Sequence, residues 1–600
     1  MLQANDALDL RTLEERYRAG SLRPSQTVAG ILERITQRGA DRVWIHRIAR
    51  AQLETRAAEL ERRGPQGLPL YGIPFAIKDN IDVAGHPTTA ACAEFAYVAR
   101  ETSPVVEALL GAGAILLGKT NLDQFATGLV GVRSPYGVPA NTFNPEYIPG
   151  GSSSGSAVAV AAGLASFSLG TDTAGSGRVP AAFNNIVGHK PTRGLLSSRG
   201  LVPACRSLDC VSILALTASD AAAVLRCARG FDAADPFSRR ETAPARALPR
   251  SFAGCRFGVP REDQLEFFGN RDTPRLFESF IKKLSEMGGE RVDIDFAPFF
   301  ETARLLYEGP WVAERYVAIR EFIERSPQAL HPVTLGIISG ATRHSAIDAF
   351  TAFYRLAGLQ RRAASAWNEV DILVTPTAGT IYRIAEVEAD PVRLNSNLGY
   401  YTNFMNLLDL SAIAVPAGFQ RDGLPFGVTL IAPAFADEAL CALGDAAHRA
   451  AVKTMGATGL SLPEKSILET KTGNTINVAV CGAHMSGLPL NHQLLERGAR
   501  LARKCRTAPA YRLYALTEFA PPRPGMLRAE SGGAIEVEVW EVPAPAFGGF
   551  VDAIPAPLGI GTVELEDGQQ VKGFLCEARA TQGARDITSL GGWRQFIKGG

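Results

Sequence analysis

The chain has 600 residues, 62 Lys and Arg against 61 Asp and Glu, a net charge of +1 and 46% hydrophobic residues. That length exceeds one ordinary core, so two or three domains are expected, and the balanced charge gives no reason to expect nucleic acid or an anionic membrane as partner. The nine cysteines are scattered, and Cys205 and Cys210 lack a second pair at metal-ligand spacing, so all nine are expected to be reduced thiols of a cytoplasmic protein.

The start, MLQANDALDLRTLEERY, has no basic n-region ahead of an apolar core, so no signal peptide is expected. Residues 1–65 read as helical, with Leu8, Leu13, Ile31, Ile35, Leu53 and Leu60 recurring among charges. From 71 to 230 short apolar runs alternate with small-residue helices, the pattern of a layered α/β core. Within it VVEALLGAG is a helix stopped by glycine, and the strand AILLGKT follows. The run AVAVAAGLASFSLG (157–170) is too short to cross a bilayer and reads as a buried helix. Residues 232–254 form an exposed connection, and 273–368 a helical tract. VDILVTPTAGT (370–380) is a buried strand, and 412–435 a strand pair around the turn QRDGLP. The polar stretch 455–475 marks a boundary. It separates a domain over 1–460 from a second over 476–600, joined by a linker at 461–475. INVAVCGAHM, AIEVEVWEVP and QVKGFLCEA are strands of that second domain.

Three stretches carry chemistry. YGIPFAIKDN (71–80) places Lys78 at the end of an apolar strand. A buried lysine can lose its proton near neutral pH and serve as a base. PGGSSSGSAVAVAAG (149–163) runs directly into an apolar helix, which argues against a linker, and it lacks the Gly-Lys-Ser/Thr of a P-loop. Its glycines allow a tight turn that brings Ser152 close to a neighbour. GTDTAGSGRVPAA (170–182) sets Ser176 24 positions beyond Ser152, after small residues whose backbone N–H groups suit an oxyanion hole. Asp172 and Arg178 read as a structural pair. No histidine lies between Lys78 and Ser176 except His86, in a Gly-His-Pro turn. The set points to a Ser-Ser-Lys amide hydrolase.

These motifs resemble the amidase signature family. The likeness runs from about residue 25 to 450 through G-x-P-x-x-x-K-D (72–79), G-K-T-N (118–121), the Gly-Gly-Ser-Ser run, G-T-D-x-x-G-S (170–176), G-x-K-P-T-x-G (188–194), D-x-L-x-T-P-T (371–377) and G-L-P-x-G-V (423–428). It implies an α/β fold with a central mixed sheet flanked by helices. It also implies Ser176 as nucleophile, Lys78 as ultimate base, and Ser152 on a cis peptide as proton shuttle. The N–H groups of Thr173, Ala174, Gly175 and Ser176 would form the oxyanion hole. Ser154 and Ala174 stand where the family commonly has Gly; both are small.

A finer resemblance is to the allophanate hydrolase branch of that family. YEGPWVAERY (307–316) sets Tyr307 and Arg315 eight apart, two helical turns on one face. The extra tail is similar to the small α+β tail of that branch, with a γ-glutamylcyclotransferase-like look. The resemblance implies a small anionic substrate, allophanate, bound by Tyr307 and Arg315, with Gly128 also in the substrate pocket. A guanidinium fork suits a carboxylate. It further implies a homodimer, no metal, no organic cofactor, and a supply of substrate from urea carboxylase or a biuret-cleaving amidase. His46, His331, His344 and His448 have no ligand-like spacing, and His189 reads as packing. In the tail, His484 and His492 bracket a loop that Glu577 could face, and His492 is the candidate for processing the first product. A purely stabilising tail stands beside that reading. The rival functions are a general amidase, one component of a tRNA-dependent amidotransferase, and a non-catalytic scaffold.

Overall fold

The computed structural model describes residues 6–241, 248–464, 466 and 475–598. Residues 242–247 of the expected connection and most of the expected linker lie outside the described residues. The chain divides into two compact units, Met1–Ile467 and Leu468–Gly600.

The first unit is built on one eleven-stranded sheet. In chain order its strands are β1 (Trp44–Arg47), β2 (Pro74–Lys78), β3 (Ile115–Thr120), β4 (Phe167–Thr171), β5 (Val187–Lys190), β6 (Val211–Ala215), β7 (Arg256–Pro260), β8 (Glu290–Ile294), β9 (Ile372–Pro376), β10 (Leu410–Phe419) and β11 (Pro425–Pro433). Their order across the sheet is β1-β3-β2-β4-β6-β5-β10-β11-β9-β7-β8. The sheet is mixed: β2 is parallel to both β3 and β4, whereas β4, β6, β5, β10, β11 and β9 run antiparallel in succession. Every residue of β2, β3, β4, β6 and β9 is buried. Strands covered on both faces read as mainly apolar runs; here Lys78, Lys119 and Ser168 interrupt them.

Helices cover the sheet: α1 (Leu10–Arg18), α2 (Pro24–Arg38), α3 (Arg50–Arg63), α4 (Pro104–Gly111), α5 (Ser154–Ala161), α6 (Ala218–Ala228), α7 (Thr273–Glu286), α8 (Ala297–Glu308), α9 (Val312–Ala318), α10 (Ala346–Ala364) and α11 (Asp437–Ala451). The strand pair at 412–435 and the strand within 370–380 form as the sequence predicts.

Three expectations need correction. The N-terminal helical stretch is interrupted by β1, which pairs antiparallel with β3 and closes one sheet edge. The run 157–170 is not one helix. It stops at Ala161, Gly163 adopts φ +66°, and Phe167 begins β4; a left-handed glycine past the last turn is a usual helix terminator. The tract 273–368 contains β8, which follows Gly288 (φ +92°) and pairs parallel with β7.

The second unit has strands β12 (Thr475–Val480), β13 (Arg500–Arg506), β14 (Tyr511–Leu516), β15 (Arg523–Arg528), β16 (Glu536–Pro543), β17 (Leu558–Glu564), β18 (Gln570–Cys576) and β19 (Arg585–Asp586). They form a five-stranded sheet, β13-β16-β12-β18-β17, and a three-stranded sheet, β15-β14-β19. Val478, Val480, Val539, Trp540 and Phe550 belong to its core, which is its own.

Candidate active site

Lys78 ends β2 with no exposed surface. Earlier on the same strand, Phe75 stacks on Phe167 of β4 (centroids 5.1 Å apart) and ties the two strands together. The Lys78 Nζ lies 2.8 Å from Ser152 Oγ and 2.8 Å from Thr171 Oγ1 at the end of β4. Burial drives its pKa down to about 7, only partly opposed by the more distant Asp123, Asp209 and Asp172. A neutral amine can accept the Ser152 hydroxyl proton while donating to Thr171.

Ser152 follows a cis Gly151–Ser152 peptide bond and directly precedes the turn into α5. Only glycine fits before it: a Cβ on Gly151 would meet Asp123 Oδ2 at 2.1 Å. Ser176 sits in the turn after β4, and its Oγ lies 3.5 Å from the carbonyl oxygen of Gly128. The Gly151 N–H donates to Leu129 O at 2.8 Å, next to Gly128, so Lys78, Ser152, Ser176 and Gly128 fall in one buried neighbourhood.

The nucleophile turn is anchored from several sides. Asp172 is buried against Arg178, with contacts of 2.8 and 2.9 Å, and accepts the N–H groups of Gly175 (2.8 Å) and Gly177 (3.1 Å). Burial alone would raise the Asp172 pKa, but Arg178 and Lys190 outweigh it and hold the carboxylate below its usual value. Thr173 Oγ1 donates to Asp209, which also accepts the N–H groups of Ala204 (2.8 Å) and Cys205 (3.2 Å). Thr402 Oγ1 donates to the Ala174 carbonyl at 2.6 Å, and Asn406 Nδ2 to the Asp172 carbonyl at 2.8 Å. The Gly175 N–H is committed to Asp172, so the donors left without a protein acceptor, among the described residues, are those of Thr173, Ala174 and Ser176.

Arg315, on α9, is buried. Its guanidinium donates to Ala126 O (3.2 Å), Thr127 Oγ1 (3.0 Å) and Tyr307 Oη (3.4 Å), with Tyr307 on α8. Among the described residues no carboxylate forms an ion pair with it. A second buried arginine, Arg133, donates to Thr127 O at 3.0 Å. Together they hold the segment that carries Phe125 (φ +50°), Ala126 (φ +52°) and Gly128, the residue facing Ser176. Sequence reasoning missed Thr171, Asp209, Thr402, Asn406 and Arg133. Thr171 alone had a signal, as the strand end before Asp172 in the Ser176 motif.

In the second unit the two histidines stand in different surroundings. His492 is exposed, with Nδ1 2.9 Å from Pro489 O. Glu577 is also exposed and pairs with Arg579 at 2.8 Å. The imidazole lining the cleft is His484, together with Cys481, Gly482, Ala483, Arg523 and Phe574. His484 stacks on Phe574 (5.0 Å) and its Nε2 lies 2.9 Å from Gln493 Oε1. Burial lowers its pKa. The Nε of Arg523 is buried with no hydrogen-bond partner. His189, read as packing, is buried with Nε2 3.4 Å from Asp437. Among the described residues no group of three or more His, Cys, Asp or Glu could hold a metal ion, and no helix is long and apolar enough to cross a membrane.

Comparison with known families fits this frame. Residues 27–441 match the amidase family and 476–598 match the allophanate hydrolase C-terminal domain. The chain therefore belongs to the amidase family and carries an allophanate-hydrolase-type domain behind the amidase core. It is 43% identical over 597 residues to urea amidolyase of Saccharomyces cerevisiae, covering 96% of this chain and 32% of that protein. It is 40% identical to the crystal structure of Kluyveromyces lactis allophanate hydrolase, covering all of both chains with a TM-score of 0.82. One component of the glutamyl-tRNA(Gln) amidotransferase of Symbiobacterium thermophilum is 37% identical over 468 residues, which cover 72% of this chain and 94% of that protein. The chain spans about a third of the length of the urea amidolyases it matches.

Proposed function

We propose that this chain hydrolyses allophanate. The observation that carries the reading is Arg315: a buried guanidinium with no ion-pairing carboxylate among the described residues, beside Tyr307 and bonded to the segment that faces Ser176. A buried cation without a counter-ion is costly, and a small planar carboxylate substrate would supply one. The likeness to allophanate hydrolase over the whole chain, second unit included, supports the same substrate. The likeness to the amidotransferase component covers 72% of this chain.

In this reading neutral Lys78 takes a proton through Ser152 as Ser176 Oγ attacks the terminal carbamoyl carbon. The N–H groups of Thr173, Ala174 and Ser176 receive the oxyanion. The C–N bond breaks, and the proton returns through Ser152 to the leaving amine as ammonia. Water then attacks the acyl-enzyme with the same Lys78–Ser152 relay as base, freeing Ser176 and N-carboxycarbamate. That product loses carbon dioxide to give carbamate, which falls to ammonia and a second carbon dioxide. The second unit is the candidate for the decarboxylation, with His492 at its surface and His484 lining its cleft as the imidazoles available. No metal or organic cofactor enters these steps. The enzyme works as a homodimer in the cytoplasm. A carboxylase acting on urea or an amidase acting on biuret would supply the substrate, and the likeness to urea amidolyases favours the first.

The test is ammonium release by the purified chain from fresh allophanate, beside malonamide and a simple aliphatic amide. Strong preference for allophanate is expected. Equal or faster turnover of the neutral amides would make this a general amidase and Arg315 a purely structural clamp.

A further inference from the structure

Asp123 stands at the joint of the site, although no step of the reaction uses it. It is fully buried. Its backbone N–H donates to the Ser152 carbonyl at 3.1 Å. Its carboxylate fills the space that a side chain would need at two glycines: a Cβ on Gly151 would meet Oδ2 at 2.1 Å, and one on Gly128 would meet it at 2.7 Å. One side chain thus packs against the peptide that delivers Ser152 and against the residue that faces Ser176. Ser152 Oγ is in turn 2.8 Å from Lys78 Nζ.

The charges around Lys78 are not equivalent. Asp123, Asp209 and Asp172 favour its ammonium form, in that order of influence, and Arg315 opposes it. Asp79, next to Lys78 in sequence, is held by Lys119 at 3.0 Å. Asp172 is paired with Arg178 at 2.8 Å. Asp209 accepts the Thr173 hydroxyl and two backbone N–H groups and shares its surroundings with Arg315. Asp123 has no ion-pairing cation among the described residues. Its carboxylate accepts the N–H groups of Gly131 and Arg133, each at 2.9 Å, while the Arg133 guanidinium donates to Thr127 O. Neutral donors hold a carboxylate in its ionised form without cancelling its charge.

We propose that Asp123 is a positioning residue for the reaction: it fixes the Ser152 shuttle against the Gly128 segment and serves as the anionic counterweight to Lys78. Burial alone would carry a lysine far below neutrality, where the amine is free but accepts a proton poorly. A general base is most effective when its pKa lies near the working pH. A nearby uncancelled carboxylate stops the fall, and its bonds to the turn keep that charge at a fixed place. Glycine at 128 and at 151 is the steric counterpart, since both leave room for the same oxygen.

This inference rests on the reading of Lys78 as base and deepens it. The test is the pH dependence of kcat/KM for ammonium release from allophanate by the full chain, wild type beside D123N, with folding checked by circular dichroism. The wild type should lose rate below about pH 7. In D123N the limb should move about one pH unit lower, because loss of the anion favours the neutral amine. At pH 6 the wild type should therefore run at about a tenth of its plateau and D123N at about half of its own, with the D123N plateau itself roughly several-fold lower because the base is weaker. A residue that only supports the fold would lower the plateau and leave the limb in place. D123S removes the same charge in a smaller side chain and serves should D123N not fold. A flat wild-type profile would remove Lys78 as the base. A wild-type limb near pH 7 that stays unmoved in the folded variant would overturn the role of Asp123 alone. Failure of both variants to fold would make Asp123 part of the frame, as Lys119 is, and would equally overturn it.

Discussion

Two buried lysines stand on adjacent strands of the same sheet, one register step apart. Lys78 ends β2 and Lys119 lies on β3, with Ile77 paired to Lys119 and Lys78 to Thr120. Both have fully buried side chains, and in both burial is the leading influence lowering the pKa. What differs is the company. Lys119 Nζ lies 3.0 Å from Asp79 Oδ1 and donates to Pro87 O and Thr88 Oγ1. Lys78 meets only the hydroxyls of Ser152 and Thr171. A carboxylate keeps an ammonium charged, whereas hydroxyls leave burial unopposed at close range. One lysine therefore belongs to the frame, and the other has the surroundings that the proposed base role needs.

The proposed chemistry can break this comparison at several points. The largest effect is expected for S176A, with kcat for ammonium release falling by about 10⁴-fold or more and the melting curve unchanged; near-wild-type turnover would remove Ser176 from the nucleophile role. K78M should cost roughly 10³-fold in kcat, within the range of general-base loss. K119M should instead act on stability. It strands the Asp79 carboxylate without its partner, a loss of about 3–5 kcal/mol by denaturant melting, while the folded fraction keeps its kcat. Should K119M lose kcat as deeply as K78M at equal folded fraction, the contrast between the two lysines collapses. R315A is expected to raise KM for allophanate by about 10- to 100-fold, the worth of a charged hydrogen bond, with a smaller change for a neutral amide. The smallest effect is in the pH profile. Lys78 must be neutral to act, and burial holds it near 7. So kcat/KM should be level above that value and fall about tenfold per pH unit below it. A flat profile from pH 5 to 8 would mean that another group limits the reaction.

The candidate site residues were legible because each sits in a glycine-flanked or apolar run whose order along the chain is itself informative. Lys78, Ser152, Ser176 and the Asp172–Arg178 pair fall together in space as their motifs suggest. The second layer was not legible. Asp209, Thr402 and Asn406 act through hydrogen bonds to the turn, and nothing in their local sequence separates them from any polar loop residue. The bond from the Gly175 N–H to Asp172, three residues away, was equally hidden. β4 was hidden because small residues serve helix and strand alike, so FSLGT carried no clear period. In the second unit His484 and His492 are eight residues apart, and only the fold separates a ring stacked on Phe574 from an exposed one.

The staples from Thr402 and Asn406 to the turn at 172–174 join segments separated by 228 and 234 positions. Lys78, Ser152 and Ser176 are all synthesised long before their scaffold is complete. During translation the nascent chain thus carries every reactive group of the hydrolase without the clamps that shape the nucleophile turn. A fragment ending before residue 400 would hold Lys78, Ser152 and Ser176 yet lack Thr402 and Asn406, the side chains that pin the turn, so the site can take its shape only after that later stretch has been made.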